Sequence, residues 1–305
     1  MKEFIKKILK EKEKQSFLKN RLENQAIQLK NDWNKIKDRE VLFKRKNIYL
    51  DKTQQNIVSD ISKQGFASFR LNDVYQNSRE ILEYMQKLCE TTKGKPYEQL
   101  VKEHNYTESK EYWVNLYHPK KGETDPIKKF MINPKIFEIA GKYLGEIPQI
   151  AMLSLLYTPH TDEKYKNSMM WHLDNHHENI VRMFINPYDM SIENGATMIF
   201  PNKYQPKYEY YKKFPYFTDE EAEEFGFDFK DKIDLIGESG HIYFADSANC
   251  FHCGSRSKTD RFVAILTFVP YLHFNQYQDN FIESELDLYA VENEAILNYF
   301  KREDS

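Results

Sequence analysis

Apolar residues recur at mostly helical intervals through the first fifty residues of the chain. Ile5, Leu9, Leu22 and Trp33 belong to this set, and neither Pro nor Gly interrupts the stretch. Apolar positions at this spacing are typical of an amphipathic helix. The pattern therefore predicts one or two amphipathic helices over residues 1–50.

The pattern of apolar and polar positions changes twice further along the chain. Residues 52–91 predict a helix, a Gly65-Phe66 turn into a strand, and a second helix. From residue 149 onward, short apolar segments rich in Ile, Val, Phe and Tyr alternate with turns, as is typical of strands. These segments cover residues 150–157, 180–185, 197–200, 241–244 and 262–269. Helices followed by many short strands predict an α+β fold, with a jelly-roll core and flanking helices.

An insert dense in Tyr, Phe and acidic residues separates two of the predicted strands, over residues 202–236. We expect it to cover one mouth of the roll, either as a lid over a substrate or as the ordinary packing of a long loop. The predicted organisation is therefore a basic helical extension over residues 1–50 and a jelly-roll domain over residues 51–305, which includes the insert.

Charge is distributed unevenly along the chain. Residues 1–50 contain 15 Lys and Arg against 7 Asp and Glu, a balance of +8, so a formal net charge of −3 leaves −11 for the remainder. The basic extension is either a solvated helical collar or an arm that touches a membrane surface or an anionic partner. The acidic remainder has no strip of alternating basic and aromatic residues, which argues against binding to nucleic acid.

Several classes of protein are excluded by composition. The chain has 10 Gly and contains neither GxGxxG nor a Walker-type motif, which argues against nucleotide binding by a glycine loop. No apolar run approaches the roughly 18 residues of a transmembrane helix, and the basic start lacks the apolar region of a secretory signal. Cys89, Cys250 and Cys253 are too few for a disulfide scaffold, so we expect a cytoplasmic location.

The sharpest chemical feature is the segment Trp171-His172-Leu173-Asp174. In a strand, residues two apart point to the same face, so the imidazole of His172 and the carboxylate of Asp174 would converge. The best candidate for a third ligand is His252, which follows the predicted strand over residues 241–244. Two His and one carboxylate on one face of an octahedron leave three open positions, as in non-heme Fe(II) enzymes that activate oxygen. The alternative is a pair of ordinary core histidines.

A candidate anchor for an anionic cosubstrate follows the third ligand. Arg261 lies nine residues after His252 and opens an apolar strand. A buried Arg is costly unless it meets a carboxylate, which a dicarboxylate cosubstrate would supply. Arg256 is a competing candidate. Cys250 and Cys253 flank His252 without the second pair that a zinc site needs, so we expect packed thiols.

Four stretches of the chain together resemble the phytanoyl-CoA dioxygenase-like branch of the Fe(II)/2-oxoglutarate dioxygenases, over roughly residues 52–275. They are residues 171–174, residues 192–201 (IENGATMIFP), residues 240–246 (GHIYFAD), and His252-Cys253-Gly254 with Arg261. The resemblance implies a double-stranded β-helix, with Fe(II) at His172, Asp174 and His252 and the distal carboxylate of 2-oxoglutarate at Arg261. The chain departs from the family at Gly254, where a small hydroxyl residue is common, and in the slightly short spacing from His252 to Arg261.

Further residues have expected positions. Tyr157 and Thr197 are expected on strands near the iron cavity, where each could hydrogen-bond the proximal carboxylate or the keto group of 2-oxoglutarate. Arg182 lies in an apolar strand and is expected on an exposed face, and the alternative is that it binds an anionic substrate. His176 and His177 are expected in a loop. Asp174 favours hydroxylation, because halogenating relatives have a small residue in place of this carboxylate.

The expected function is that of a non-heme Fe(II), 2-oxoglutarate-dependent oxygenase. It would use O2 to hydroxylate a small or carrier-bound metabolite and would release succinate and CO2. One alternative is a cupin-like metalloenzyme that does not use 2-oxoglutarate, and another is a degenerate roll that acts as a binding module. Arg261 distinguishes the first alternative, because a cupin-like enzyme has no reason to bury a cation there. The sequence predicts neither a particular substrate nor an oligomeric state.

Overall fold

A computed structural model of the protein describes seven parts of the chain. They are residues 49–104, 113–118, 124–145, 148–160, 164–174, 180–204 and 216–270. The helices predicted over residues 1–48 therefore lie outside the described residues, as do His176 and His177.

The first described helix, α1 (Lys52–Gln64), begins and ends at residues suited to those positions. The Asp51 side chain accepts a hydrogen bond from the Gln54 backbone at 2.9 Å, and the Gln54 side chain accepts one from the Asp51 backbone at 2.8 Å. This reciprocal pair satisfies two backbone N–H groups that have no partner within the helix. The helix ends at Gly65, whose φ of +90° favours glycine. The predicted helix and the Gly65 turn are confirmed.

Five further helices follow among the described residues of the first half of the chain. Proline at the first position and an Asp or Asn cap before it start the last two of them, a combination that fits the unpaired N–H groups of a helix start. They are α2 (Leu71–Val74), α3 (Ser78–Glu90), α4 (Tyr97–Glu103), α5 (Pro126–Met131) and α6 (Pro134–Leu144).

The strands in the described ranges form two antiparallel sheets. The larger sheet contains β1 (Phe66–Arg70), β2 (Val114–Asn115), β3 (Pro148–Thr158), β4 (Val181–Ile185), β7 (His241–Asp246) and β9 (Arg261–Pro270), in the order β1-β7-β4-β9-β3-β2. The smaller sheet contains β5 (Met198–Ile199), β6 (Ile233–Asp234) and β8 (His252–Cys253), in the order β6-β5-β8. The predicted mixture of helices followed by antiparallel strands is confirmed.

The larger sheet is buried on both faces. On the inner face, Phe184 of β4 lies opposite Ile265 of β9, and both pack with Ile199 of the smaller sheet. On the outer face, Leu155 and Leu266 lie against apolar residues of the flanking helices. Burial on both sides explains why these strands appear in the sequence as nearly continuous apolar runs.

An aromatic cluster fills the space beyond the smaller sheet. Phe200, Phe217, Phe227 and Phe251 are buried together with Trp171, which directly precedes a candidate metal ligand. Of the predicted insert over residues 202–236, residues 205–215 lie outside the described chain. The part after the gap contains α7 (Asp219–Glu224) and supplies much of this cluster.

In the described ranges, none of the helices is long and apolar enough to cross a membrane.

Candidate active site

The structure brings together the three residues that the sequence singles out as metal ligands. His172 and His252 form an antiparallel bridge with two backbone hydrogen bonds of 3.0 Å, and the Asp174 backbone N–H donates to Ser247 at 2.9 Å. One ligand atom from each of His172, Asp174 and His252 lies within 4.8 Å of the others. All three residues are buried.

Backbone carbonyls fix the orientation of both imidazole rings. Nδ1 of His172 lies 2.8 Å from the Met170 carbonyl, and Nδ1 of His252 lies 3.0 Å from the Cys250 carbonyl. A carbonyl oxygen only accepts, so each Nδ1 is assigned the ring proton and each Nε2 keeps its lone pair. Nε2 of His252 lies 3.8 Å from Oδ2 of Asp174. Metal-binding histidines are commonly held in this way by a hydrogen bond from their other nitrogen.

The protonation states suit a metal. Burial, and then the charge of His252, lowers the pKa of His172 to about 3, and burial lowers the pKa of His252. Burial alone would raise the pKa of Asp174, but the charge of Arg182, together with the smaller electrostatic effect of the two histidines, outweighs burial and lowers that pKa. At neutral pH the group is therefore two neutral imidazoles and one carboxylate. Oδ2 of Asp174 has no hydrogen-bond partner among the described residues. This donor set fits a divalent metal.

The triad opens into a cavity of about 370 Å³ between the two sheets. That volume is at the small end of the range for small-molecule sites. Polar and charged side chains and apolar side chains both form its wall. The lining includes Trp113, Met152, Ser154, Leu156, Phe184, Thr197, Tyr216, Ser255 and Ile265, together with the triad, Arg182 and Arg261.

Arg261 is a buried cation in this cavity. Its Nη1 donates to Ser255 at 3.0 Å and its Nη2 donates to Thr197 at 2.9 Å, while Nε has no partner among the described residues. The residue is 4% exposed, and burial lowers its pKa to about 10, so it stays charged near neutrality. Ser255 and Thr197 are both neutral, and no described carboxylate forms an ion pair with Arg261. A buried guanidinium without a counter-charge is a site for an anion.

Arg256, the competing candidate, points away from the cavity. Its Nη1 donates to both carboxylate oxygens of Asp219, at 2.7 and 2.9 Å, and its Nε donates to the Met169 carbonyl at 2.6 Å. Trp171 Nε1 also donates to Asp219, at 2.6 Å. Asp219 already neutralises Arg256, so the structure leaves Arg261 as the available anchor.

Of the two residues expected near the cosubstrate, the structure places only one in the cavity. The expectation for Tyr157 is wrong. Its side chain lies on the outer face of β3, where its hydroxyl donates to Asp260 at 3.2 Å and its ring stacks on Phe262. Side chains alternate along a strand, so its neighbour Leu156 lines the cavity instead. Thr197 does line the cavity, but its hydroxyl accepts from Arg261.

The expectation that Arg182 lies on an exposed face is also wrong. Arg182 shares the inner face of β4 with Phe184, lines the cavity, and has its Nε 2.8 Å from Oδ2 of Asp174. The alternation along β4 gives no signal for this position, because Met183 and Ile185 on the opposite face are as apolar as Phe184. Tyr216, in the predicted insert, was not singled out either. Its ring centre lies 5.5 Å from that of His172.

The cysteines beside His252 are packed thiols, as expected. Cys250 and Cys253 are free and buried, and Cys250 packs among inner-face residues of the larger sheet. Burial raises the pKa of Cys253 to about 12. A thiol with so high a pKa is a poor nucleophile and a poor metal ligand.

No protein-family model matches the chain, and no curated protein matches it. Solved structures do. EctD from S. alaskensis, with 2-oxoglutarate and 5-hydroxyectoine, is 15% identical, with 73% of this chain and 77% of that chain covered and a TM-score of 0.50. HygX from Streptomyces hygroscopicus, with nickel and 2-oxoglutarate bound, is 14% identical (72% and 87% covered, TM-score 0.46). The epimerase SnoN, in complex with Fe3+, alpha ketoglutarate and nogalamycin RO, is 13% identical (72% and 84%, 0.47).

The likeness to EctD concerns the fold. It confirms the predicted jelly-roll core with flanking helices. The resemblance to the phytanoyl-CoA dioxygenase-like branch in particular stays a prediction.

Proposed function

We propose that this chain is a non-heme Fe(II), 2-oxoglutarate-dependent oxygenase that hydroxylates a small organic molecule. One observation supports the proposal above the others. A buried arginine, Arg261, meets only neutral hydroxyls among the described residues, in the same cavity as two neutral imidazoles and a carboxylate. The two imidazoles and the carboxylate suit a metal ion, and Arg261 suits one carboxylate of a dianion.

His172 and His252 would bind the metal through Nε2, and Asp174 would bind it through its carboxylate. When bound, Fe(II) supplies the oxygen chemistry: O2 and 2-oxoglutarate are consumed, one oxygen atom enters succinate as CO2 is lost, and the other enters the product. The protein holds the reactants and tunes the metal. The Met170 and Cys250 carbonyls keep both rings in the metal-binding orientation.

Arg261 would bind the distal carboxylate of 2-oxoglutarate. Its planar guanidinium can form two parallel charge-assisted hydrogen bonds to a carboxylate. In this proposal Thr197 and Ser255 orient the guanidinium. Gly254 leaves room beside it, since a Cβ there would lie 3.2 Å from Thr197 Oγ1 and 3.5 Å from Arg261 Nη2.

Hydroxylation is proposed because the carboxylate of Asp174 is present and would bind the metal where a halide would otherwise bind. A cavity of about 370 Å³ suits a small metabolite, or the reacting end of a carrier-bound one. A cytoplasmic location, and contact of the basic extension with a membrane, stay predictions from sequence.

The first experiment is an anaerobic titration with Fe(II) and then 2-oxoglutarate. His172→Ala and His252→Ala should each abolish tight Fe(II) binding, since each removes one of three ligands. If both variants keep wild-type affinity, the metal binds elsewhere.

The second experiment compares Arg261, at the start of β9, with Arg256, in the loop that precedes β9. Arg261→Ala should weaken 2-oxoglutarate binding while leaving Fe(II) affinity nearly unchanged. Loss of one partner of a buried charge pair costs about 2–5 kcal/mol, which is tens- to thousands-fold at about 1.4 kcal/mol per tenfold. Arg256→Ala is the matched control and should leave 2-oxoglutarate affinity intact. If neither variant changes 2-oxoglutarate binding, the cupin-like alternative is favoured. If the wild type binds neither Fe(II) nor 2-oxoglutarate, the binding-module alternative is favoured.

A further inference from the structure

Arg182 is a partly buried cation that makes no hydrogen bond to a described protein acceptor. Its Nε lies 2.8 Å from Oδ2 of Asp174, yet the geometry makes no hydrogen bond. No other hydrogen bond joins Arg182 to a protein acceptor in the described ranges. Arg256 and Arg261, by contrast, each donate to protein oxygens. The donors of Arg182 therefore face the cavity without protein acceptors from those ranges.

Arg182 and Arg261 approach the triad from different ends of the larger sheet. Arg182 lies opposite Thr267 on β9, six residues along that strand from Arg261. At about 3.3 Å per residue, their backbone positions are roughly 20 Å apart. Arg182 is partly exposed, whereas Arg261 is buried. Arg261 thus occupies the closed end of the cavity, and Arg182 lies where solvent, and an incoming molecule, can reach.

The charges of the described lining residues leave a positive excess. Asp174 contributes one negative charge, and Arg182 and Arg261 contribute one positive charge each. A divalent metal adds two positive charges and 2-oxoglutarate adds two negative charges. Counted over the described lining residues alone, the filled site would therefore keep a net charge of +1, and Arg182 is the cation that remains once Arg261 meets 2-oxoglutarate. A buried uncompensated charge is costly, and a monoanion would compensate it.

We propose that Arg182 binds an acidic group of the organic substrate, so that the substrate is a carboxylic acid or a similar monoanion with an apolar body. This inference rests on the proposed function. Met152, which like Arg182 lies opposite Thr267, and Phe184, two residues along β4 from Arg182, supply apolar wall on this side of the cavity. The planar guanidinium is suited to a carboxylate, which it can meet with two hydrogen bonds. The contact with Asp174 is made through Nε, and neither Nη forms a hydrogen bond to a described residue.

The test uses the full chain loaded with Ni(II) in place of Fe(II) and saturated with 2-oxoglutarate. Benzoate and phenylacetate serve as anionic probes, and benzamide and phenylacetamide are their neutral counterparts of similar shape. Binding is measured by titration calorimetry. The wild type should bind each acid at least about tenfold more tightly than its amide, the expected effect of one charge-assisted pair. Arg182→Gln should remove that preference, and Arg182→Lys should keep part of it.

A control variant and two further measurements separate the possible roles of Arg182. Arg79→Gln, on the exposed surface of α3, should change nothing. If Arg182→Gln weakens binding of 2-oxoglutarate and leaves the preference for acids, Arg182 holds the cosubstrate and the inference is overturned. If the variant lowers only Ni(II) affinity, Arg182 merely orients Asp174, and the inference is equally overturned.

The same titrations distinguish this inference from the proposed function. If the wild type binds Ni(II) and 2-oxoglutarate but shows no preference for acids, only the assignment of Arg182 is wrong. If the wild type binds neither, both conclusions are wrong. Thermal melting of each variant checks that it is folded before its binding is compared.

Discussion

At the residue scale, the two ligand histidines are neutral in the folded chain because they are buried and lie beside each other. Their ring centres are 4.3 Å apart. Burial keeps both Nε2 atoms unprotonated and therefore able to bind a metal, because it makes protonation of the imidazole rings unfavourable. Acid should therefore act on this site even when no metal is bound.

We predict that the metal-free protein loses stability as the pH falls from 7.5 to 5.5. The pKa of His172 is lowered in the folded state to about 3 from 6.5. The unfolded chain therefore binds protons first, and the stability present above pH 6.5 is lost as the pH falls toward 3. Urea unfolding at several pH values measures this. His172→Gln should reduce the pH dependence, and an unchanged slope in that variant would show that other groups cause it.

The sequence predicts the three candidate metal ligands, but it does not predict which side chains lie around them. Residues two apart on a strand place His172 and Asp174 together, and the apolar strand that follows Arg261 indicates that this residue is buried. Arg182 and Tyr157 were misplaced for one physical reason. A strand buried on both faces has no polar side, so its sequence does not show which residues point inward.

At the element scale, the junction of α1 and β1 depends on Gly65. Its φ is +90°, and an added Cβ would collide with Cys250 Sγ. Gly94 also has a positive φ, of +71°, but a Cβ there meets nothing within 4 Å. Substituting Gly94 would therefore introduce backbone strain alone, whereas substituting Gly65 would introduce backbone strain and a steric collision.

We predict that Gly94→Ala costs about 1–2 kcal/mol of unfolding free energy, from strain alone. Gly65→Ala should cost about 1–3 kcal/mol more, because it also overpacks the core. Urea unfolding of both variants measures the difference. Equal losses would mean that Cys250 moves aside at little cost.

Asp219, at the start of α7, joins the insert by a hydrogen bond to the segment that precedes His172. Asp219 accepts hydrogen bonds from Arg256 and from Trp171, the residue next to ligand His172. We predict that Asp219→Ala lowers stability by about 1–3 kcal/mol, since it leaves buried donors without partners. The sequence did not indicate this contact, because the acceptor lies far along the chain from both donors.

Glu220→Ala is the control for Asp219→Ala, because Glu220 lies in the same turn of α7 and makes no hydrogen bond to Trp171 or Arg256. Its effect on the free energy of unfolding should be small. If Asp219→Ala and Glu220→Ala lose the same free energy, the loss comes from the helix start and not from the contact with Trp171 and Arg256.

At the scale of the whole molecule, binding at the cavity should stabilise the fold. A ligand that binds only the folded state adds about 2.7 kcal/mol at a concentration of 100 times its dissociation constant. We predict that Ni(II) and 2-oxoglutarate raise the melting temperature in two steps. Arg261→Ala should keep the first step and lose most of the second. An undiminished second step in this variant would place 2-oxoglutarate elsewhere.

The order of elements along the chain was enough to predict the fold class, because helices precede a series of short strands. The pairing of those strands was not predictable in the same way. Strands β5, β6 and β8 contain two residues each, too few for any periodicity to be visible, and they form a sheet only through contacts distant in sequence.

The pairing of β1 with β7 has a consequence for synthesis of the protein. Phe66 lies opposite Ala245, so β1 leaves the ribosome long before its partner exists. At roughly 5–20 residues per second, that interval is on the order of ten seconds or more. During it, Phe66 and Phe69 have no strand beside them, and chaperones that recognise exposed apolar segments have time to bind. His252 and Arg261 emerge later still, so the last residues of the proposed site follow both strands out of the ribosome.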